Sequence, residues 1–389
     1  VKAKLIRLLG MFFVIWAMPS CSGEGNDCVP QCAGKECGSD GCGGECPPGC
    51  PNSHYTCWST DHGTSACGCS ADWTGPGCEQ QLTDAVDILF VLDNSNSMVG
   101  TQSRLGQAFE AFTTELENQS VTDYHIAVIT TGVQSPGCPP CDDVIQSSCM
   151  NVTGESGRFQ DRIGYNQGTI DDPDYVFTSD PQCGKVLTAA TKSCFYDTSQ
   201  SRGFAMLGVN GCVCERGLEA VKAAFGDLAD GYNEGFLREG ARLVVVVFSD
   251  EEDCGKVGDV TEELPGIGGN VCYFSSKGVD PEGNFIDSTG KSYRLTPVED
   301  YYNLLLGLKK YREGRVKFAA IVGVKDIDDL STTNIEYAWN DSGNIWDIVP
   351  ACITTGCSGD FCSAKPGTRY LRMAQMFGLG NNGFIDTIC

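Results

Sequence analysis

The sequence predicts an alternating α/β fold on a doubly wound, mostly parallel sheet, preceded by a small disulfide-rich N-terminal region. Three observations carry that reading. Four apolar runs, "VDILFVLD" (86–93), "YHIAVIT" (124–130), "RLVVVVFSD" (242–250) and "RVKFAAIVGV" (315–324), have the length and β-branched content of strands buried on both faces. Helical periodicity separates them, with Leu105, Ala108, Phe109, Phe112 and Leu116 on one face, then Leu218, Val221, Phe225 and Leu228, then Tyr301, Leu304, Leu305 and Leu308. Residues 22–81, by contrast, are dominated by Gly, Cys, Pro and Ser and hold too few apolar side chains for a core.

At the N-terminus, Lys2, Lys4 and Arg7 precede "LLGMFFVIWAM". This apolar run is too short to cross a bilayer and suits a signal-peptide core, so residues 1–20 are expected to direct export. Export agrees with 24 cysteines in 389 residues, a content suited to an oxidising compartment. The stretch "MPSC" resembles a bacterial lipobox, which implies that Cys21 is lipidated and anchors the chain to a membrane, at the outer membrane or cell surface. Met18 and Pro19 depart from the usual pattern, and Cys21 as the first disulfide cysteine is the competing reading. Lipidation would leave 23 cysteines, an odd number, and so one thiol unpaired or intermolecular.

Residues 21–81 read as a stalk held by disulfides. Its second part, Cys67-Gly-Cys69-Ser-Ala-Asp-Trp73-Thr-Gly75-Pro-Gly-Cys78, has the closing spacing of an EGF-like module and resembles one over about 46–79. Cys46, Cys50 and Cys57 can supply the other half beside Cys67, Cys69 and Cys78, leaving Cys28, Cys32, Cys37 and Cys42 to pair among themselves. Sequence does not fix this connectivity.

The α/β part is expected over 84–389, closing on the helix "TRYLRMAQMFG" (368–378). Residues 132–211 exceed any ordinary connection and are expected to be a cross-linked insertion. The segment 255–295 around Cys272 is similar in composition. Because the strands at 86–93 and 124–130 are joined by one helix, they are expected to run parallel, so the insertion leaves from their carboxyl edge.

In such sheets ligands sit outside the carboxyl ends of the strands. Asp93 ends the first run and Asp250 ends "RLVVVVFSD", with Ser95 and Ser97 following Asp93 at alternate positions. Two carboxylates, two hydroxyls and water form a hard-oxygen shell suited to Mg²⁺, with Ca²⁺ or Mn²⁺ as alternatives. Asp93-x-Ser95-x-Ser97 together with "VVVVFSDEED" resembles the metal-ion-dependent adhesion site of von Willebrand factor type A domains. The resemblance implies metal-binding roles for Asp93, Ser95, Ser97 and Asp250, and capture of a protein or glycan partner whose carboxylate takes an open metal position. The family's threonine is missing, and Cys212 occupies its slot in "CVCERGL". Cys212 and Cys214 are expected to be disulfide cysteines, since thiolates are soft ligands and Mg²⁺ is hard. Glu215, Thr130 or Thr131 can supply the replacement oxygen, and helix N-terminal electrostatics is the other reading of Glu215.

The remaining motifs point away from catalysis. A net charge of −24 argues against nucleic acid as a partner. "CPPC" (138–141) lacks a thioredoxin-like context and reads as structural, and "GLGNNG" (378–383) has no helix to open. Glu251, Glu252 and Asp253 read as a solvated acidic loop or a second weak calcium site. With three histidines and no G-x-S-x-G, H-E-x-x-H or P-loop motif, the chain is expected to be a binding protein and not an enzyme. The alternatives are a structural envelope protein with a stabilising metal, or a metal-dependent hydrolase or redox protein using the same edge.

Overall fold

The computed structural model describes residues 84–133, 155–169, 174–209, 211, 215–255, 273, 295–312, 314–341, 345–354 and 363–389. In the N-terminal region it describes 32, 33, 37, 44–51, 55–59, 65–70, 73, 74, 80 and 81. Cys21, Cys78, Cys212, Cys214, the "CPPC" stretch and Cys272 therefore lie outside the described residues.

Five strands, β1 (Val86–Leu92), β2 (Tyr124–Thr130), β3 (Arg242–Phe248), β4 (Val316–Val322) and β5 (Gly383–Thr387), form one sheet in the order β5-β4-β3-β1-β2. All its pairings are parallel. The four apolar runs become β1 to β4 because every inward and outward position is covered. β5 was not in the predicted pattern: "GFIDT" is short and follows a glycine-rich turn, and it becomes a strand by pairing with β4.

The helices are α1 (Val99–Asn118), α2 (Gly217–Phe225), α3 (Val298–Leu308) and α4 (Thr368–Met376). α2 stops at Phe225, so Leu228 lies beyond it in a turn. One face of the sheet packs on α2, α3 and α4, where Val221, Leu305 and Met373 meet Val245, Phe318 and Val322. The other face packs on α1, where Leu105, Phe109 and Phe112 meet Phe90 and Val128. Both faces are covered, as the parallel arrangement requires.

The insertion completes that second face. Phe195, Phe204 and Leu207 are fully buried in the α1 side of the core. Phe195 stacks on Phe109 with ring centroids 3.7 Å apart and lies 5.0 Å from Phe90. Gly106 in α1 permits this approach, since a Cβ there would meet the Tyr196 ring at 2.2 Å. The insertion also covers the outer edge of β2, exchanging hydrogen bonds of 2.8 Å between Ile126 and Leu187, which removes an exposed edge strand. Its expected cross-link is present as Cys183–Cys194.

In the N-terminal region an antiparallel hairpin pairs Tyr55–Ser59 with Ser65–Cys69. The expected self-contained set Cys46, Cys50, Cys57, Cys67, Cys69 and Cys78 is corrected here: Cys46 pairs with Cys32, Cys57 with Cys37, and Cys50 with Cys67. The hairpin sets Cys57 opposite Cys67, yet each reaches back to the preceding coil. A two-stranded hairpin is marginal alone, so both strands are stapled to that coil.

The amino edge of the sheet shows how this chain buries a charge. Asp87 is fully buried and accepts hydrogen bonds of 2.8 Å from both Nε and the backbone N–H of Arg238. Lys309 Nζ lies 3.5 Å away. Removing Arg238 would leave Asp87 with only the longer Lys309 contact to offset its buried charge. Arg238→Met is therefore expected to cost about 3 kcal/mol in urea unfolding, and adding Asp87→Asn is expected to recover part of that loss.

Candidate functional site

The carboxyl ends of β1 and β3 meet at the point where the strand order reverses, between β1 and its neighbour β3. The Asp93 N–H donates to the Phe248 carbonyl at 2.9 Å, which sets Asp93 beside Ser249 and Asp250. Asp93 is fully buried. Its Oδ1 accepts the Ser95 N–H at 2.8 Å and its Oδ2 accepts the Ser249 hydroxyl at 2.7 Å. Ser95 and Ser97 hydroxyls lie 3.0 Å apart, and Ser97 is near enough to Asp250 to draw its carboxyl down against burial. Asp93, Ser95 and Ser97 thus form one hydrogen-bonded group, and Asp250 stands beside it. Ser249 was missed, because a serine before an aspartate carries no signal of its own.

Glu215 enters the same crevice from the start of α2. Its backbone is held on both sides: the Arg216 N–H donates to the Thr131 carbonyl at 2.8 Å, and the Cys254 N–H donates to the Glu215 carbonyl at 2.6 Å. Thr131 thus contributes its carbonyl to the frame. The Thr130 hydroxyl accepts the Gly132 N–H at 3.2 Å. The helix-capping role belongs to Asp253, whose Oδ1 accepts the Leu218 N–H at 3.0 Å, so α2 does not account for the Glu215 carboxylate.

The acidic run after Asp250 is corrected from a solvated loop. Glu252 and Asp253 are buried. Glu252 accepts the Thr368 and Arg369 N–H groups at 3.0 and 2.9 Å, capping α4, while Asp253 caps α2 and accepts Arg369 Nε at 3.0 Å. Two helix N-termini with their positive dipole ends account for two of these three acids. Glu251 instead stays beside the crevice, with Lys365 Nζ 3.4 Å from its Oε1.

Burial dominates the electrostatics. It raises the Asp93 carboxyl to about 6 against the N–H and hydroxyl donors that pull it down, and nearby Glu251 adds to the rise. Burial likewise pushes Asp250 and Glu215 well above the usual carboxylate range, with the negative charges of Asp93 and Glu251 contributing to both. Glu215 Oε1 and Asp250 Oδ1 are buried with no hydrogen-bond partner. Among the described residues, no cationic side chain forms an ion pair with Asp93, Asp250 or Glu215. Nor do these three bring ligand atoms mutually within 4.8 Å, so a small ion here would be reached partly through hydroxyls and water.

A separate cysteine group does meet that distance: Cys37, Cys50 and Cys67 place their sulfurs within 4.8 Å of one another. These residues are oxidised, in Cys37–Cys57 and Cys50–Cys67. Thiolates are the metal ligands, so the group can hold an ion only after reduction, and then a soft one.

The insertion borders the crevice. Gln102 in α1 donates to the Gly208 carbonyl at 2.8 Å and the Asp93 carbonyl at 3.2 Å, and accepts the Leu207 N–H at 3.0 Å. The Gly211 N–H donates to the Asn94 carbonyl at 2.9 Å, and a Cβ on Gly211 would meet Asn94 Oδ1 at 2.2 Å. No family model matches the chain, and no curated protein matches it.

The raised carboxyls set a pH dependence. A folded-state value above the ordinary 3.8 means that the native state binds more protons. The stability contributed by protonated Asp93 is therefore present below about pH 4 and lost as pH rises through about 6, on the order of 3 kcal/mol. In chelator, wild type is expected to lose stability relative to Asp93→Asn by about that amount between pH 4 and 7. Urea unfolding across the range measures it, and a pH-independent difference would contradict the raised value.

Proposed function

We propose that the carboxyl edge is a divalent-cation site of the von Willebrand factor type A kind, and that the chain is a surface binding protein capturing a protein or glycan partner there. The observation that carries this reading is the pair of buried acceptors without partners, Glu215 Oε1 and Asp250 Oδ1, beside the buried Asp93. Buried anions without a counter-charge are costly, and a hard cation offsets that cost with the oxygen chemistry these residues offer. Mg²⁺, Ca²⁺ and Mn²⁺ all suit such donors.

In this reading Asp93, Ser95, Ser97 and Asp250 hold the ion, with Glu215 supplying the oxygen that the missing threonine would have given. When bound, the ion supplies an electrophilic point for a partner's oxygen. Ser249 and the Ser95 N–H orient Asp93, and the insertion forms one wall through Gln102 and Gly211. A binding role is favoured over hydrolysis because His125 faces the amino edge, with Nδ1 3.0 Å from the Phe236 carbonyl and 3.9 Å from Asp87.

Thermal unfolding with the disulfides intact tests the site. A cation at about 100 times its dissociation constant is expected to add about 2.7 kcal/mol to wild type and nothing to Asp93→Ala. Equal stabilisation of both would place the ion elsewhere and end this reading. We further propose that Cys21 is lipidated, which would hold the binding edge at a membrane surface. Acyl labelling is expected in wild type and lost, with membrane association, in Cys21→Ala; an unmodified Cys21 in intact-mass data would rule the anchor out.

A further inference from the structure

Two disulfides of the N-terminal region stand against each other. Cys37–Cys57 and Cys50–Cys67 are separate bonds, yet the Sγ atoms of Cys37, Cys50 and Cys67 lie within 4.8 Å of one another. Cys57 is the register partner of Cys67 across the hairpin of Tyr55–Ser59 and Ser65–Cys69. Opposed residues of an antiparallel pair have Cα atoms about 4.5 or 5.5 Å apart, and both spacings fall within the range of about 4.4–6.8 Å that a disulfide spans. Each of these cysteines therefore has a second cysteine within reach besides the one it bonds: Cys37 has Cys50, and Cys57 has Cys67.

Exposure decides where an exchange between them would begin. Cys37 is 1% exposed, whereas Cys50, Cys57 and Cys67 are partly exposed. A thiolate from solution attacks the disulfide sulfur it can reach and expels the other as a thiolate. At Cys37–Cys57 it meets Cys57 and frees Cys37, which then sits beside Cys50 in an intact disulfide.

We propose that Cys37, Cys50, Cys57 and Cys67 form a thiol–disulfide exchange site, at which a low-molecular-weight thiol converts Cys37–Cys57 and Cys50–Cys67 into Cys37–Cys50 and Cys57–Cys67. The small thiolate bonds to Cys57 Sγ, and Cys37 leaves with the electron pair of the broken bond. Cys37 attacks Cys50, forming Cys37–Cys50 and expelling the Cys67 thiolate. Cys67 attacks Cys57 in the mixed disulfide, which closes Cys57–Cys67 across the hairpin and returns the small thiolate to solution. Every disulfide broken is replaced, so nothing is oxidised or reduced overall and the thiol is not consumed. The first arrangement ties both strands of the hairpin to the preceding coil. The second closes hairpin and coil each on itself, releasing the hairpin from these staples without net reduction.

Disulfide mapping by mass spectrometry tests the site on the full chain, incubated with reduced glutathione in the absence of oxygen, quenched in acid and alkylated with N-ethylmaleimide. Cleavage at Glu45, Tyr55 and Asp61 places Cys37, Cys50, Cys57 and Cys67 on separate peptides. Cys37–Cys50 and Cys57–Cys67 are expected to appear together and in equal amounts, at a rate that rises about tenfold from pH 6 to pH 7 with the thiolate fraction. Cys352–Cys389 is the internal control: both its cysteines are partly exposed, with no third cysteine grouped with them among the described residues, and the pairing is expected to persist. The double variant Cys37→Ser, Cys50→Ser is expected to carry Cys57–Cys67 as purified, with circular dichroism checking that it folds. Reduction of wild type without the new pairing, or recovery of Cys57 and Cys67 as alkylated thiols in the folded variant, would overturn the proposal. Equal loss of Cys352–Cys389 would overturn it too, by making the exchange a general effect of the thiol.

Discussion

Crowded negative charge at the carboxyl edge is the constraint around which the α/β domain is arranged. Asp93, Asp250 and Glu215 are buried together with Glu251 beside them; burial raises the proton affinity of all three, and the charges of Asp93 and Glu251 add to it at Asp250 and Glu215. The donors on Asp93 are good ones, a backbone N–H and a serine hydroxyl. Burial still outweighs them, since its carboxyl remains near 6 and not below its ordinary value. Hydrogen bonds orient this edge; they do not neutralise it.

The segments around the crevice follow from that constraint. Glu252 and Asp253 draw the N-termini of α4 and α2 inward, so two helix dipoles point toward the acidic edge. The insertion does the corresponding work on the other face. Its Phe195 is wedged against Phe90 and Phe109, while Gln102 and Gly211 fasten its end to the loop after Asp93. Packing on one side and capping on the other hold the carboxylates in a geometry that each would leave if free.

Much of this was legible because local pattern and global burial agree. The β1 to β4 runs are mostly apolar and almost wholly buried, and the α1 stripe from Leu105 to Leu116 is the face that packs. Asp93, Ser95, Ser97 and Asp250 come to one edge, as expected, because residues at neighbouring strand ends of a parallel sheet share it. β5 escaped because "GFIDT" gains strand character only from β4. The acidic run misled because three consecutive acids look solvated, and only the tertiary arrival of two helix N-termini buries Glu252 and Asp253. Cysteine pairing escaped for the same reason: Cys57 and Cys67 face each other in the hairpin but bond to Cys37 and Cys50, a choice made by the chain path and not by spacing.

The two edges of one sheet provide an internal comparison. At the amino edge a single buried carboxylate, Asp87, has Arg238 and Lys309 within ion-pair distance, and burial brings Lys309 down to about 8 without removing its charge at neutral pH. At the carboxyl edge three buried carboxylates have no such partner among the described residues, and Arg369 is engaged by Asp253. One sheet thus answers a buried acid with its own cations at the amino edge and, where the strand order reverses, with raised proton affinity. Burial costs a carboxylate its solvation at either edge, and what differs is whether a cationic side chain or a proton offsets that cost.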